Sequence, residues 1–311
     1  MLISVVVPTF RLGGLDLIKW SLDQQTLPAA DFELVLVDGL FTRRRAAVEK
    51  LFGSASYRVK HVPPEADARG EIFPRDAHPR YRNTGIAESR GEICVLWCDY
   101  VMAPPMVLSL FAHRFRTIPG KVSICGTHIY GLPPREIVDP RLVPSPCLDD
   151  TIALMDSLAP DDRLWTSAFT YDLETVFGLI QTSAFAYPLD KQDPKLRLLS
   201  GTTIPNIALH MKNEAVRRAD LREVCGLDET YNDTKCADDL DLGMRLGNAG
   251  VTFVLDKSID VLIPDPHVFT PELRRTRTHL EALADWELRR RPILASGAIH
   301  PEKSLFLSEK F

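Results

Sequence analysis

The sequence predicts an α/β protein with a central, mostly parallel sheet and helices on both of its faces. Short continuous runs rich in β-branched residues alternate with segments of helical spacing through the first half of the chain. The runs show no alternation of polar and apolar residues, so both faces of each strand are buried, and a sheet sandwiched between helices provides that burial. They close on polar residues, Pro8-Thr9, Asp38 and Asp99. In such sheets these are the carboxyl ends of strands, where ligands bind.

Taken in order, a β-branched run over 2–7 ends at Pro8, and 15–22 has helical spacing. Strand-like runs recur over 33–38, 57–62 and 93–99. Cys94 and Cys98 lie inside the last of these and read as small buried hydrophobes in preference to zinc ligands. Residues 133–188 are irregular, with many prolines and scattered aromatics (Trp165, Phe169, Tyr171, Phe177, Phe185, Tyr187). That segment reads either as a substrate-shaping region or as a surface insertion. A strand is expected over 202–211, a short helix over 213–223 and a turn at Gly226-Leu-Asp-Glu229.

The next helix starts with Asp238, Asp239 and Asp241. Leu242, Leu246 and Ala249 recur at i, i+4 and i+7, Arg245 stands one turn after Asp241, and Gly247 and Gly250 supply the stop. Acids favour a helix N-terminus on electrostatic grounds alone, because unpaired N–H groups and the dipole attract negative charge there. Two further strands are expected over 251–255 and 259–263. The tail from Thr270 carries Arg274, Arg275, Arg277, Arg289, Arg290 and Arg291 around Leu280, Leu283 and Trp286. Its interspersed Glu272, Glu281, Asp285 and Glu287 favour a solvated packing helix over a membrane-bound one, leaving weak peripheral membrane association as the lesser reading. The expected organisation is one domain over 1–267 and a C-terminal helical extension over 268–311.

With 311 residues, 45% of them hydrophobic, the chain can bury a substantial core. Its net charge of -5 gives no strong nucleic-acid signal. There is no run of about 18 apolar residues and no charged segment ahead of the N-terminal apolar stretch. Six cysteines at irregular spacings read as reduced thiols, and together these features predict a cytoplasmic protein.

Four separated segments, in order and spacing, resemble the family 2 glycosyltransferases, nucleotide-sugar enzymes of the GT-A (Rossmann-like) fold. They are Val5-Val-Val-Pro-Thr-Phe10; Glu33-Leu-Val-Leu-Val-Asp38; Arg82-Asn-Thr-Gly-Ile86 leading through Gly91-Glu92 to Asp99 and Pro104-Pro105; and Gly226-Leu-Asp-Glu229 followed by Asp238-Asp-Leu-Asp-Leu242 and Arg245-Leu246. The resemblance covers residues 2–267 and leaves the tail aside. It implies an inverting transferase, of the kind used in polysaccharide biosynthesis, that moves a sugar from a nucleoside diphosphate, UDP by preference, to a saccharide or lipid-linked acceptor hydroxyl. It further implies that Asp38 contacts the nucleotide base above the loop of Pro8 and Thr9, and that Arg82, Asn83, Asp99 and Asp238 line the donor pocket. Asp239, second acid of the pair, matches the general base. A like-charged neighbour and partial burial raise its proton affinity, and the helix N-terminus opposes them.

Two departures from the family pattern stand out. Where the family carries Asp-x-Asp for a divalent cation (Mn or Mg), this chain reads Asp99-Tyr-Val101. The second acid is missing, so a metal would need Asp99 with a substitute such as His267 or Asp265. In the second strand-end segment, Arg43, Arg44 and Arg45 follow Asp38, readable as phosphate ligands or as an exposed helix face. Two rivals to an active transferase remain: a catalytically degenerate nucleotide- or glycan-binding relative, which the loss at Val101 favours, and a sugar-phosphate nucleotidyltransferase. The latter wants a glycine-rich phosphate loop, and only Gly13-Gly14 follows the first strand.

Overall fold

The computed structural model describes residues 1–10, 13–65, 78–130, 172–182, 187–188, 203–204, 211–232, 237–264 and 283–310. Strands β1 (Ile3–Thr9), β2 (Phe32–Asp38), β3 (Arg58–Val62) and β4 (Ile93–Trp97) form a parallel half-sheet. It continues through β5 (Val122–Tyr130), β8 (Asn213–Arg217), β9 (Thr252–Ile263) and the two-residue β6 (Tyr187–Pro188) and β7 (Thr203–Ile204). The order is β3-β2-β1-β4-β8-β5-β9-β7, with β6 on β5, and β8 runs antiparallel to both β4 and β5.

Side chains leave the sheet on both faces, as unalternating apolar runs require. Ile3, Val5 and Val7 of β1 pack with Leu15, Leu17, Ile18 and Leu22 of α1 (Leu15–Asp23), Val48 and Phe52 of α2 (Phe41–Phe52), and Phe111 of α4 (Val107–Thr117). Val6 faces the other layer, where Ile86 of α3 (His78–Glu88), Leu221 of α6 (Arg218–Glu223) and Leu242 and Leu246 of α7 (Asp238–Asn248) gather. Each such side chain withdrawn from water contributes about 1.5–3 kcal/mol. Helix α5 (Leu173–Thr182) lies within the irregular segment, most of which is outside the described residues.

After β1 the chain runs outward through β2 and β3, then returns to place β4 on the opposite side of β1. The strand order therefore reverses between β1 and β4, and sheets of this kind bind ligands beyond the carboxyl ends of the strands at such a switch point. Thr9 ends β1 and Asp99 follows β4.

The structure corrects two local expectations. Residues 213–217 are strand and only 218–223 are helix. Pairing on both sides with β4 and β5 overrides the local helical pattern. The two strands expected over 251–255 and 259–263 are one, β9, whose pairing with β5 shifts register after Gly126. In the tail, one turn of π-helix (Trp286–Arg290) leads into the short α8 (Arg291–Ala295). Among the described residues, no helix is long and apolar enough to cross a membrane.

Candidate active site

The carboxyl ends of β1, β2 and β3 are joined by a polar network around Asp38. Arg44 of α2 donates to Asp38 through Nε (2.7 Å to Oδ2) and Nη2 (2.8 Å to Oδ1). The Leu40 amide donates to Oδ1 at 2.7 Å, and His61 Nε2 meets Oδ2 at 2.8 Å. Arg44 Nη2 also donates to Thr9 Oγ1, which donates to Asp99 Oδ2, both at 3.0 Å. Thr9, Asp38, Arg44 and Asp99 are all buried. Burial pushes the Asp38 carboxyl up, yet the Arg44 charge and the bonds from His61 and Arg44 prevail and hold it below its ordinary value. The three arginines are thus not one exposed face: Arg43 and Arg45 are exposed, whereas Arg44 turns inward as the partner of Asp38.

Beside this network, α3 lies so close to β1 that a Cβ on Gly85 would collide with Val6. That approach carries Arg82 beneath the start of α7. Arg82 is 6% exposed, and neither its Nε nor its Nη1 has a hydrogen-bond partner. Burial lowers its proton affinity, while the charges of Asp238, Cys98, Asp239 and Glu214 act to restore it. Asp238 and Asp239 occupy the first turn of α7, both half-buried. The Asp238 carboxyl is pushed up to about 7, by burial and then by the neighbouring Asp239, with Arg82 pulling the other way.

Glu214 completes the cluster, and the sequence reading did not single it out. It is 2% exposed on β8, paired across the sheet with Leu96 and Cys125. Ser123 Oγ and Cys125 Sγ (3.6 Å) donate to its Oε1, and its Oε2 accepts no hydrogen bond. Burial raises its carboxyl to about 7, against the bonds from Ser123 and Cys125. The signal available in the sequence was a glutamate beside Ala215-Val216, hidden by the expectation of helix there.

The remaining expected residues fall as follows. Pro8 lies within β1, opposite Val37 of β2. Asn83 faces the Gly226–Glu229 turn: its Nδ2 donates to the Leu227 carbonyl (2.9 Å) and Glu229 Oε1 (2.8 Å), and its Oδ1 accepts from the Leu227 amide (2.8 Å). It therefore clamps α3 to that turn with its polar atoms already engaged. His267 and Asp265, the substitute metal ligands, lie outside the described residues, as do Arg274, Arg275 and Arg277. Val101 is fully buried in the apolar core, so the motif offers Asp99 as its one carboxylate, and no group of three possible ligands occurs among the described residues.

The tail closes over the back of the acid helix. Asp241 is shared between Arg245 Nε (2.5 Å) and Arg290 Nε (2.8 Å), all buried. Trp286 packs with Tyr231 and Ala237. The amides of Glu302 and Lys303 donate to Asp228, and that of Leu305 to Glu229. Arg289 and Arg291 are exposed and paired with Asp285, Glu302 and Glu287.

No protein-family model matches the chain, and no curated protein matches it. Among solved structures it is similar to Staphylococcus aureus TarS 1–349 in complex with UDP, at 14% identity and a TM-score of 0.47, covering 83% of this chain and 59% of that one. It is similar also to the mannosyltransferase PcManGT from Pyrobaculum calidifontis in complex with GDP-Man and Mn2+ (17% identity, TM-score 0.48, covering 95% and 72%). A third is a mycobacterial protein (18% identity, TM-score 0.44, covering 97% and 76%). The chain thus spans about three-fifths of the TarS 1–349 structure.

Proposed function

We propose that this chain is a glycosyltransferase of the GT-A type that moves a sugar from a nucleoside diphosphate, UDP by family resemblance, to an acceptor hydroxyl with inversion. The observation that carries this reading is the buried Arg82, with two unpartnered nitrogens, set beside the acid pair of α7 at the sheet's switch point. A buried guanidinium with two nitrogens left unbonded is costly, and an anionic diphosphate would supply them with charge-assisted bonds. Asp239, in the first turn of α7 and partly exposed, is the base. The acceptor oxygen attacks the anomeric carbon while Asp239 takes its proton. The bond from that carbon to the diphosphate oxygen breaks on the opposite face, and Arg82 holds the departing charge.

Asp38 enters this reading indirectly. Its carboxylate has about four lone-pair sites, and Leu40, His61 and two Arg44 donors fill them. It anchors Arg44 and His61, and direct contact with a base requires one of these bonds to give way. Pro8, Thr9 and Asp99 form the wall of the nucleotide site. The acceptor is a saccharide or lipid-linked saccharide, and the protein works at the cytoplasmic side. The full burial of Val101 favours a second reading, a relative that binds the nucleotide without turnover.

Release of free nucleotide from UDP-, GDP- and dTDP-sugars, with manganese and with a chelator, separates the two. Turnover of one donor, lost in Asp239→Asn, is the expected result. Binding without release supports the second reading, and full activity in a folded Asp239→Asn overturns the base assignment.

A further inference from the structure

We propose that Glu214 reads a hydroxyl of the transferred sugar while Arg82 holds the diphosphate. This rests on the glycosyltransferase reading and extends it to a residue that no motif of the family resemblance includes. The argument starts from two incomplete groups of opposite kind in one place. Glu214 is 2% exposed with an Oε2 that accepts no hydrogen bond, and Arg82 is 6% exposed with an Nε and Nη1 that donate none. They lie within electrostatic reach, since the Glu214 charge acts on Arg82 and the Asp239 charge acts on Glu214. Even so, the two do not pair with each other. Register explains how this comes about: Glu214 shares a sheet face with Leu96 and Cys125, the face on which α3 and α7 pack.

A ligand that satisfies both must present anionic oxygens to the guanidinium and a hydroxyl to the carboxyl, a short distance apart. A sugar joined to a diphosphate has that composition, with hydroxyls beyond its distal phosphorus, whereas in a free nucleoside diphosphate the only hydroxyls are those of the ribose, on the other side of the diphosphate. Glu214 is also suited to a hydroxyl in either of its protonation states. As a carboxylate it accepts the hydroxyl proton, and as a carboxylic acid it donates to the hydroxyl oxygen. With its carboxyl raised to about 7, both forms are present near neutral pH. Ser123 and Cys125 fix the other oxygen, so the side chain is oriented before the ligand arrives.

The test compares binding of UDP with UDP-glucose and UDP-N-acetylglucosamine, and of GDP with GDP-mannose, by calorimetry. The proteins are the wild type, Glu214→Ala, Glu214→Gln and Arg82→Gln. The wild type is expected to bind one sugar nucleotide about tenfold more tightly than its parent diphosphate, the margin of one hydrogen bond to a charged group. Glu214→Ala should erase that margin while holding the diphosphate within about twofold, and Arg82→Gln should weaken both ligands. Should Glu214→Ala not fold, Glu214→Gln carries the comparison, since it keeps the shape and an acceptor for Ser123. It is expected to shrink the margin. A margin that survives in the folded Glu214 variants, or one absent from the wild type, overturns the proposal and leaves the glycosyltransferase reading standing. If the wild type binds none of the five ligands, the glycosyltransferase reading itself fails and takes the proposal with it.

Discussion

Two groups of charge meet at the carboxyl edge of the sheet, and they are built on opposite terms. Around Asp38 each acceptor is matched by a donor from Leu40, Arg44 or His61, and Thr9 ties the group to Asp99. Around Arg82 the charges stand near one another with bonds unmade: two guanidinium nitrogens and one oxygen of Glu214 lack partners, and Asp238 is pushed toward neutrality. The backbone repeats the contrast. The non-glycine residues with left-handed φ among those described are Met211, Cys225 and Ala237; Met211 precedes the strand of Glu214 and Ala237 the helix of Asp238 and Asp239, while Cys225 opens the turn that Asn83 clamps. Satisfied networks hold a fold in one arrangement, while unpaired buried groups and local strain collect where a ligand is awaited. The first group is frame and the second is site.

The largest expected effect tests that division directly. Arg44→Ala leaves Asp38 buried without its main counter-charge and should destabilise the protein by about 3–5 kcal/mol. Arg82→Met removes a buried charge that has no hydrogen-bond partner at two of its nitrogens, and should change stability by about 1 kcal/mol or less while abolishing measurable nucleotide binding. Denaturant unfolding of the two variants decides it. Equal losses of stability would dissolve the distinction between frame and site.

Next in size is Asp239→Asn, expected to slow nucleotide release by about 10²-fold or more with little change in unfolding midpoint. The same substitution at Asp38 should reverse the pattern. It weakens the bonds from Arg44 and His61 and so lowers stability first.

The frame and the site were not equally legible in the sequence. Strands such as Val5-Val-Val and Leu34-Val-Leu announce themselves because burial on both faces writes a continuous apolar run, and Asp38 and Asp99 at their ends follow from strand geometry. Asp238 and Asp239 stood out as acids clustered at a helix start. What stayed hidden depends on partners distant in the chain. Arg44 looked like one of three surface arginines until α2 turned it onto Asp38 and Thr9. Asn83 looked like a pocket residue, and it clamps a turn 144 residues away. Glu214 was concealed by local helical spacing that pairing with β4 and β5 overrules. The tail gave no hint that Arg290 would share Asp241 with Arg245.

pH separates the two groups through the sign of their shifts. Asp38 is depressed below its ordinary value when folded, so its contribution is present above the ordinary carboxylate range and is lost as pH falls from that range through the depressed folded value. Glu214 and Asp238 are raised from ordinary values of 4.5 and 3.8 to about 7, so the folded state binds protons that the unfolded state releases. Their contribution therefore declines as pH rises from the ordinary carboxylate range to about 7, and is flat above it. Melting temperature measured over this range should fall toward neutrality in the wild type, and less steeply in Glu214→Gln. An unchanged slope in that variant would remove Glu214 from the site's proton balance.

The smallest expected effect probes the strain itself. Ala237 precedes Asp238 with φ at 69°, a conformation that costs a side-chain-bearing residue about 1 kcal/mol or more. Trp286 and Tyr231 pack against it, so the tail holds the backbone in that state. Ala237→Gly removes the steric cost and adds unfolded-chain entropy, leaving a net gain of about 0.5 kcal/mol or less. If the left-handed turn serves only to start the helix, turnover should be unchanged by this substitution. If it aims Asp239, the added freedom lowers kcat while KM for the donor holds, and the site is then oriented by the same strain that sets it apart from the frame.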